Sequence, residues 1–346
     1  MKRFLFLYAS IIICISATAQ TFPISGKVID QKTRQGVPYA NVYIEGDVST
    51  GTATDSIGRF HITNAKPGIH RLVVSCIGYK EKLTSEYMVS ARTPFIEVEL
   101  EEDAQMLGEV IVSPSPMRRT TESPVSLFVI GVQDIEKIPG AIRDISRVVR
   151  SFPGVSFSPI GYRNDLIVRG GGPSENRYFM DGIEIPNINH FSTQGASGGP
   201  VGIINSDLVR EINFYTGAFP ANRSGALSSV MDISLYNGNP ERQDFKATLG
   251  AAEVSLSGSG HFSEKTTYLF SARQSYLQFM FKLLGLPFLP NYIDGQFKIK
   301  TRLNERHELM FLGLGGIDRM KLNTDEKGDA TEYLLSYLPV IHQDTY

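Results

Sequence analysis

Short runs of β-favouring residues, each stopped by a turn signal, fill the chain from residue 24 to residue 100. Residues 24–29 lead into a polar Asp30-Gln31-Lys32 turn, 40–44 end at Glu45-Gly46-Asp47, and 50–54 meet Asp55-Ser56-Ile57-Gly58. Residues 59–63 then alternate around Phe60 and Ile62, Pro67-Gly68 precedes Leu72-Val73-Val74, and 95–100 form a last run. Strands at this spacing, with no helical period between them, predict a small β-sandwich of immunoglobulin or transthyretin type over 20–100. Cys76 falls in the apolar run 73–77 and is expected in its core. Asp55 offers one carboxylate with few neighbouring oxygens, too few for Ca²⁺, so its turn reads as structural.

After residue 100 the pattern changes. Leu107-Gly108-Glu109-Val110-Ile111-Val112 is an isolated β-forming run between acidic Glu101-Glu102-Asp103 and Pro114, Pro116 and Arg118-Arg119. It reads as an extended segment in a linker, 101–119, able to add a strand to the edge of a partner's sheet. Ile142, Ile145, Val148, Val149 and Phe152 recur at helical spacing and stop at Pro153-Gly154. That spacing predicts an amphipathic helix with Asp144 and Arg147 on its other face. Further β-runs follow at 166–168, at 177–183 around an Asp181-Gly182 hairpin signal, and at 209–214 and 225–233.

Beyond 243 the alternation lengthens. Ile293, Gly295, Phe297, Ile299, Thr301 and Leu303 alternate with Asp294, Gln296, Lys298, Lys300, Arg302 and Asn304, which leaves the charges on one face. A turn at Glu305-Arg306-His307 returns to Leu309, Phe311 and Gly313, and Tyr268, Phe270 and Ala272 alternate with Ser271, Arg273 and Ser275. Transmembrane strands of ~9–11 residues, apolar toward lipid and polar toward a lumen, read this way.

The amino terminus places these elements in a compartment. Lys2 and Arg3, an apolar run over 4–15 and Ala17-Thr18-Ala19 have the form of a secretory signal peptide, 1–19. Cleavage after Ala19 would leave 32 basic and 36 acidic residues, a net charge of −4, and Cys76 as the one cysteine of the mature chain. That balance excludes a broadly basic nucleic-acid binder. Nothing later reaches ~20 uninterrupted apolar residues; the stretch 279–289 comes closest and is broken by Lys282 and Pro287. The 20 Phe and 15 Tyr, with no Trp, supply the aromatic surface.

Candidate chemistry thins out under inspection. Gly195-Ala196-Ser197-Gly198-Gly199 spells a nucleophile elbow but has no strand before it or helix after it. The six histidines show no metal-ligand spacing, and Glu101-Glu102 and Asp325-Glu326 sit in linker-like sequence. No catalytic group, cofactor site or metal site is expected.

Several motifs resemble known families. Gly26-Lys27-Val28-Ile29-Asp30, Gly36-Val37-Pro38-Tyr39-Ala40-Asn41-Val42, Thr54-Asp55-Ser56-Ile57-Gly58-Arg59-Phe60 and Cys76-Ile77-Gly78-Tyr79 resemble the carboxypeptidase-regulatory-like sandwich, a non-catalytic module. Pro153-Gly154-Val155, Leu166-Ile167-Val168-Arg169-Gly170-Gly171-Gly172, Arg177-Tyr178-Phe179-Met180-Asp181-Gly182-Ile183, Val209-Arg210-Glu211-Ile212-Asn213-Phe214 and Gly225-Ala226-Leu227-Ser228-Ser229-Val230-Met231-Asp232-Ile233 resemble, in family order, the plug of TonB-dependent outer-membrane receptors of Bacteroidetes type. Ser228-Ser229 stands where many relatives have a Gly-Gly pair.

The resemblance implies a mainly β chain in five parts: signal peptide 1–19, sandwich 20–100, linker 101–119, α+β plug 120–240 and the first strands of an antiparallel transmembrane barrel, 241–346. It implies active import of a nutrient (siderophore, vitamin, glycan or peptide) across the outer membrane, with the sandwich in the periplasm. Energy would come from TonB of the inner-membrane complex, pulling on Glu109, Val110, Ile111 and Val112. Tyr162, Arg163, Asn164, His190 and Phe191, in the loops 158–165 and 186–203, are candidates for substrate contact; packing of plug against barrel wall accounts for them equally well. Lipid and a nutrient would be the other partners, a surface lipoprotein is compatible, and nucleic acid is not expected. A 22-stranded barrel with a plugged lumen needs more than ~200 residues of strand, against 103 residues from Asp244 to Tyr346. The expectation is therefore a portion of a transporter; the rivals are a surface-signalling receptor and a shortened remnant that binds without transporting.

Overall fold

A computed structural model describes residues 21–102, 126–131, 135, 144–157, 164–193, 199, 201–223, 225–250, 252–286, 288–304, 307–323 and 340–346. The signal-peptide segment 1–19 and the linker segment with Glu109–Val112 lie outside them. The chain divides into two compact units, Met1–Met106 and Leu107–Tyr346. It is mainly β throughout.

The first unit is a β-sandwich built from β1 (Phe22–Asp30), β2 (Asn41–Ile44), β3 (Asp47–Ala53), β4 (Arg59–Ala65), β5 (Gly68–His70), β6 (Leu72–Ser75), β7 (Lys82–Leu83), β8 (Tyr87–Val89) and β9 (Ile96–Leu100). One sheet has the order β4-β1-β9, the other β3-β2-β6-β7, with β5-β8 as a separate ribbon. Phe60 and Ile62 on β4, Val98 and Leu100 on β9, and Val42 and Val74 on β2 and β6 are all buried, as period-two alternation requires of strands that bury one face. The β1–β9 pair is parallel. The expectation for Cys76 is corrected: β6 stops at Ser75, Cys76 is half-buried just beyond it, and Ile77 is 94% exposed in the turn.

The second unit has two layers. Its central layer holds β10 (Leu127–Ile130), one helical turn α1 (Ile145–Val148), β11 (Val155–Phe157), β12 (Leu166–Val168), β13 (Asn176–Met180), β14 (Ile183–Ile185), β15 (Val209–Tyr215) and β16 (Ser229–Leu235). Five of these strands form a sheet in the order β10-β15-β16-β13-β14, whose β13–β16 pair is parallel, while β11 and β12 pair with each other. Asp181 and Gly182 both adopt positive φ between β13 and β14, the primed turn that an Asp-Gly pair selects. Ile145, Val148, Leu166, Met180, Ile212, Phe214, Met231 and Ile233 are buried in one core.

The outer layer is an antiparallel meander of β17 (Asp244–Leu249), β18 (Glu253–Ser263), β19 (Thr266–Ser275), β20 (Phe288–Arg302), β21 (Glu308–Leu322) and β22 (Ile341–Thr345), with a helix α2 (Leu277–Leu283) between β19 and β20. In this antiparallel order β18 and β20 end where β19 and β21 begin at one end of the meander, and β19 and β21 end where β20 and β22 begin at the other. No helix among the described residues is long and apolar enough to cross a membrane, which says nothing of strands. The polarity of these strands is inverted relative to a soluble sheet: Ser271, Arg273, Asp294, Gln296, Lys298 and Asp318 are buried against the central layer, and Phe245, Leu256, Ile293, Phe297, Phe311 and Ile317 face outward.

Candidate functional site

The inverted meander puts charged side chains where the central layer packs on it. Asp294, Gln296 and Lys298 recur at period two on β20, Arg273 lies across from Asp294 in the β19–β20 ladder, and Ile317 pairs with Ile293 so that Asp318 falls beside them on β21. Into this row projects a loop of the central layer. The loop folds on itself through His190 N–H to the Val201 carbonyl (2.8 Å), Ile203 N–H to the Ile188 carbonyl (2.9 Å) and an Asn189–Gly202 bridge.

His190 is 0% exposed. Its Nδ1 lies 2.6 Å from Asp318 Oδ1 and its Nε2 3.0 Å from Asp294 Oδ2. The Phe191 N–H donates to the other oxygen of Asp318 at 2.7 Å. The imidazole stacks on Tyr292 with centroids 4.1 Å apart, and the Tyr292 hydroxyl donates to Glu253. Arg273 Nε donates to Asp294 Oδ1 (3.0 Å), while its Nη2 donates to the Gly202 carbonyl (2.9 Å). Burial disfavours a charged His190 ring, but the hydrogen bonds and charges of Asp294 and Asp318 outweigh it, so its pKa is raised.

Two further contacts tie the layers together. Lys298 Nζ pairs with Asp181 Oδ2 at 3.0 Å, and Asn205 Nδ2 donates to Ser271 Oγ at 2.8 Å. A buried node behind the loop ties it to α1. Asp144, the N-cap, accepts from Ser146 N–H (2.9 Å) through Oδ1, and from Gly202 N–H (3.0 Å) and Asn164 Nδ2 (2.8 Å) through Oδ2. This corrects the expected solvent-side Asp144: a capping carboxylate one turn before a buried strand connection is enclosed by the groups it satisfies. Arg147, its expected neighbour on that face, is half-buried beside it at 4.0 Å.

Of the residues expected to meet substrate, Tyr162 and Arg163 lie outside the described residues. Asn164, His190 and Phe191 are buried inside the unit, with Asn164 also accepting from Arg150 Nη2 (2.6 Å). In this conformation they are held by protein. Sequence reasoning placed Asp144 only on a helix face and Asp181 only in a turn, and did not single out Gly202, Asp318 or the pairing of Lys298 with Asp181. The Asp-x-Ser start of α1 was a readable cap signal, and the one-sided charges of β20 marked a face that needs partners. Ser228 and Ser229 fill the place of the expected glycine pair by donating to the Val168 carbonyl (2.6 Å) and to Asn176 Oδ1 (2.7 Å). Among the described residues no group of three His, Cys, Asp or Glu side chains is arranged to hold a metal ion.

Comparison with protein families matches residues 24–112 to the CarboxypepD_reg-like domain and residues 119–230 to the TonB-dependent Receptor Plug Domain. A comparison with curated proteins gave no match. Solved structures similar to the chain include the siderophore receptor PirA from Acinetobacter baumannii (18% identity, TM-score 0.43, 57% of this chain and 32% of that one). A variant of the ferric enterobactin receptor PfeA from Pseudomonas aeruginosa is 20% identical (TM-score 0.42, 61% and 36%), and FpvA from P. aeruginosa is 18% identical (TM-score 0.43, 59% and 26%). The chain therefore spans about a third of the length of the structures it matches.

Proposed function

From a chain that joins a carboxypeptidase-regulatory-like domain to a TonB-dependent receptor plug domain, we propose a role in TonB-dependent import of a nutrient across the outer membrane. The reading is of transport, not catalysis. In it, this chain supplies the sandwich (20–100), the linker (101–119), the plug (120–240) and the first wall strands (241–346) of the importer. The observation that carries it is the wall itself: strands of 10–15 residues with apolar side chains outward and charges inward against a plug sheet. Outer-membrane strands are joined by short turns on the periplasmic side and longer loops outside. By that rule the end with 264–265 and 303–307 faces the periplasm, and the end with 276–287 and 323–340 faces outward.

TonB is the proposed energy source, engaging Glu109, Val110, Ile111 and Val112 by strand addition, where main-chain hydrogen bonds carry the pull. Force on that segment reaches the plug that follows it. Tyr162 and Arg163 are proposed to meet substrate, with Asn164, His190 and Phe191 joining the path once the plug has moved. The nutrient is a siderophore, vitamin, glycan or peptide. Changing residues 109–112 to proline in the full-length receptor is expected to abolish energy-dependent uptake while cells still bind the nutrient. Uptake at the unaltered rate would remove the TonB-box assignment.

A further inference from the structure

The plug loop is gripped by the wall through two charge-assisted contacts, and the chemistry of one of them fixes its protonation. Ionised carboxylates only accept hydrogen bonds. His190 presents each ring nitrogen to a carboxylate oxygen, Asp318 on one side and Asp294 on the other. A neutral imidazole would turn a lone pair toward one of them, at a site where no water can intervene because the ring is fully buried. The surrounding charges point the same way. Facing the ring are Asp294 from β20 and Asp318 from β21, with Arg273 from β19 bound to Asp294 and Glu253 from β18 behind Tyr292. The two fully enclosed carboxylates, Asp294 and Asp318, set against Arg273 alone would leave one uncompensated negative charge in the interior.

We propose that His190 is a charged latch, a positioning residue whose imidazolium, clasped by Asp318 and Asp294, closes the plug segments 188–191 and 201–203 onto the wall together with the Gly202 carbonyl held by Arg273. Gly202 makes the latch continuous with the helix cap, since its N–H is bound by Asp144 and its carbonyl by Arg273. Displacement of the loop strands the buried Asp318 on the wall, and leaves Asp294 with Arg273 alone, unless water enters with the movement, so the closed state is favoured. The inference rests on the plug-and-wall reading above and deepens it by naming the contact that must break.

The latch itself is read without a transport assay. Deuterium exchange at the imidazole C2 carbon, followed by mass spectrometry of the His190 peptide across pH, reports protonation in the lipid-reconstituted full-length receptor and in the same receptor denatured. The native midpoint is expected above the denatured one, which should sit near the ordinary ~6.5. Asp318→Asn should lower the native midpoint, an effect that packing alone would not produce. His190→Gln should speed amide exchange at 188–191 and 201–203 at least about tenfold, because it leaves the buried Asp318 without its charged partner. Equal native and denatured midpoints, or unaltered exchange in His190→Gln, would overturn the latch. Should His190→Gln not fold, the unmutated midpoint and Asp318→Asn still decide. Loss of the importer reading would appear as absent uptake by the full-length receptor with the raised midpoint intact, and loss of the latch as an ordinary midpoint in a full-length receptor that imports.

Discussion

Asp144 closes α1 with one carboxylate oxygen and holds Gly202 and Asn164 with the other. Replacing it by alanine removes a helix cap, worth about 1 kcal/mol, and leaves buried donors unsatisfied at about 1–3 kcal/mol. Asp144→Ala should therefore lower the stability of the second unit by about 2–4 kcal/mol, read as a shifted denaturant midpoint. Asp144→Asn should lose less, since its amide oxygen still accepts. Titration makes a second prediction. The pKa of His190 is raised in the folded chain, so its stabilisation is complete below the unfolded value of ~6.5 and declines as pH rises through the folded value. Unfolding measured from pH 6 upward should show that loss, and His190→Gln should abolish the slope. In the sandwich the sign reverses. Backbone N–H of Thr33 outweighs the burial that opposes it and, with Thr33 Oγ1 and Lys32 N–H, holds Asp30 below its ordinary value; that stabilisation is present above ~3.9 and lost as pH falls through the folded value.

At the scale of elements, the outward face of the wall carries its own packing rule. Phe245, Gly258, Phe270, Phe297 and Gly313 stand in one row across β17 to β21. A Cβ on Gly313 would lie 2.3 Å from the Phe297 ring, and one on Gly258 2.3 Å from the Phe270 ring. Each glycine is the berth of a phenyl ring, which is how a sheet accommodates large outward aromatics side by side. Phe297→Lys should cost about 2–4 kcal/mol in lipid, where a charge at mid-depth is expensive, while the still apolar Phe297→Leu should cost far less. Folding yield into liposomes distinguishes the two. The period-two order of β20 made this face legible in the sequence, as Phe60 and Ile62 made β4 legible. Pairing was not legible: nothing in the residues of β1 or β13 announces parallel partners at β9 and β16, because periodicity tells which face is buried and not against what. The end of β6 was also missed, since an apolar Ile77 reads as strand until Gly78, at positive φ, turns it into solvent. His190 was visible as a candidate, but its two carboxylate partners lie more than a hundred residues away in the chain.

For the whole molecule, each compact unit has a core of its own, so residues 20–102 should fold without the rest and show a cooperative urea transition. The larger claim is that the second unit is a membrane wall holding a plug. Spin labels at Ile293, Phe297 and Phe311, and at the neighbouring Asp294 and Gln296, in the lipid-reconstituted full-length receptor decide it. Collision with oxygen and protection from a water-soluble nickel reagent are expected at the first three, and low access to both at Asp294 and Gln296. Nickel access at Phe297 equal to that at the exposed Ile77 of the sandwich would contradict it.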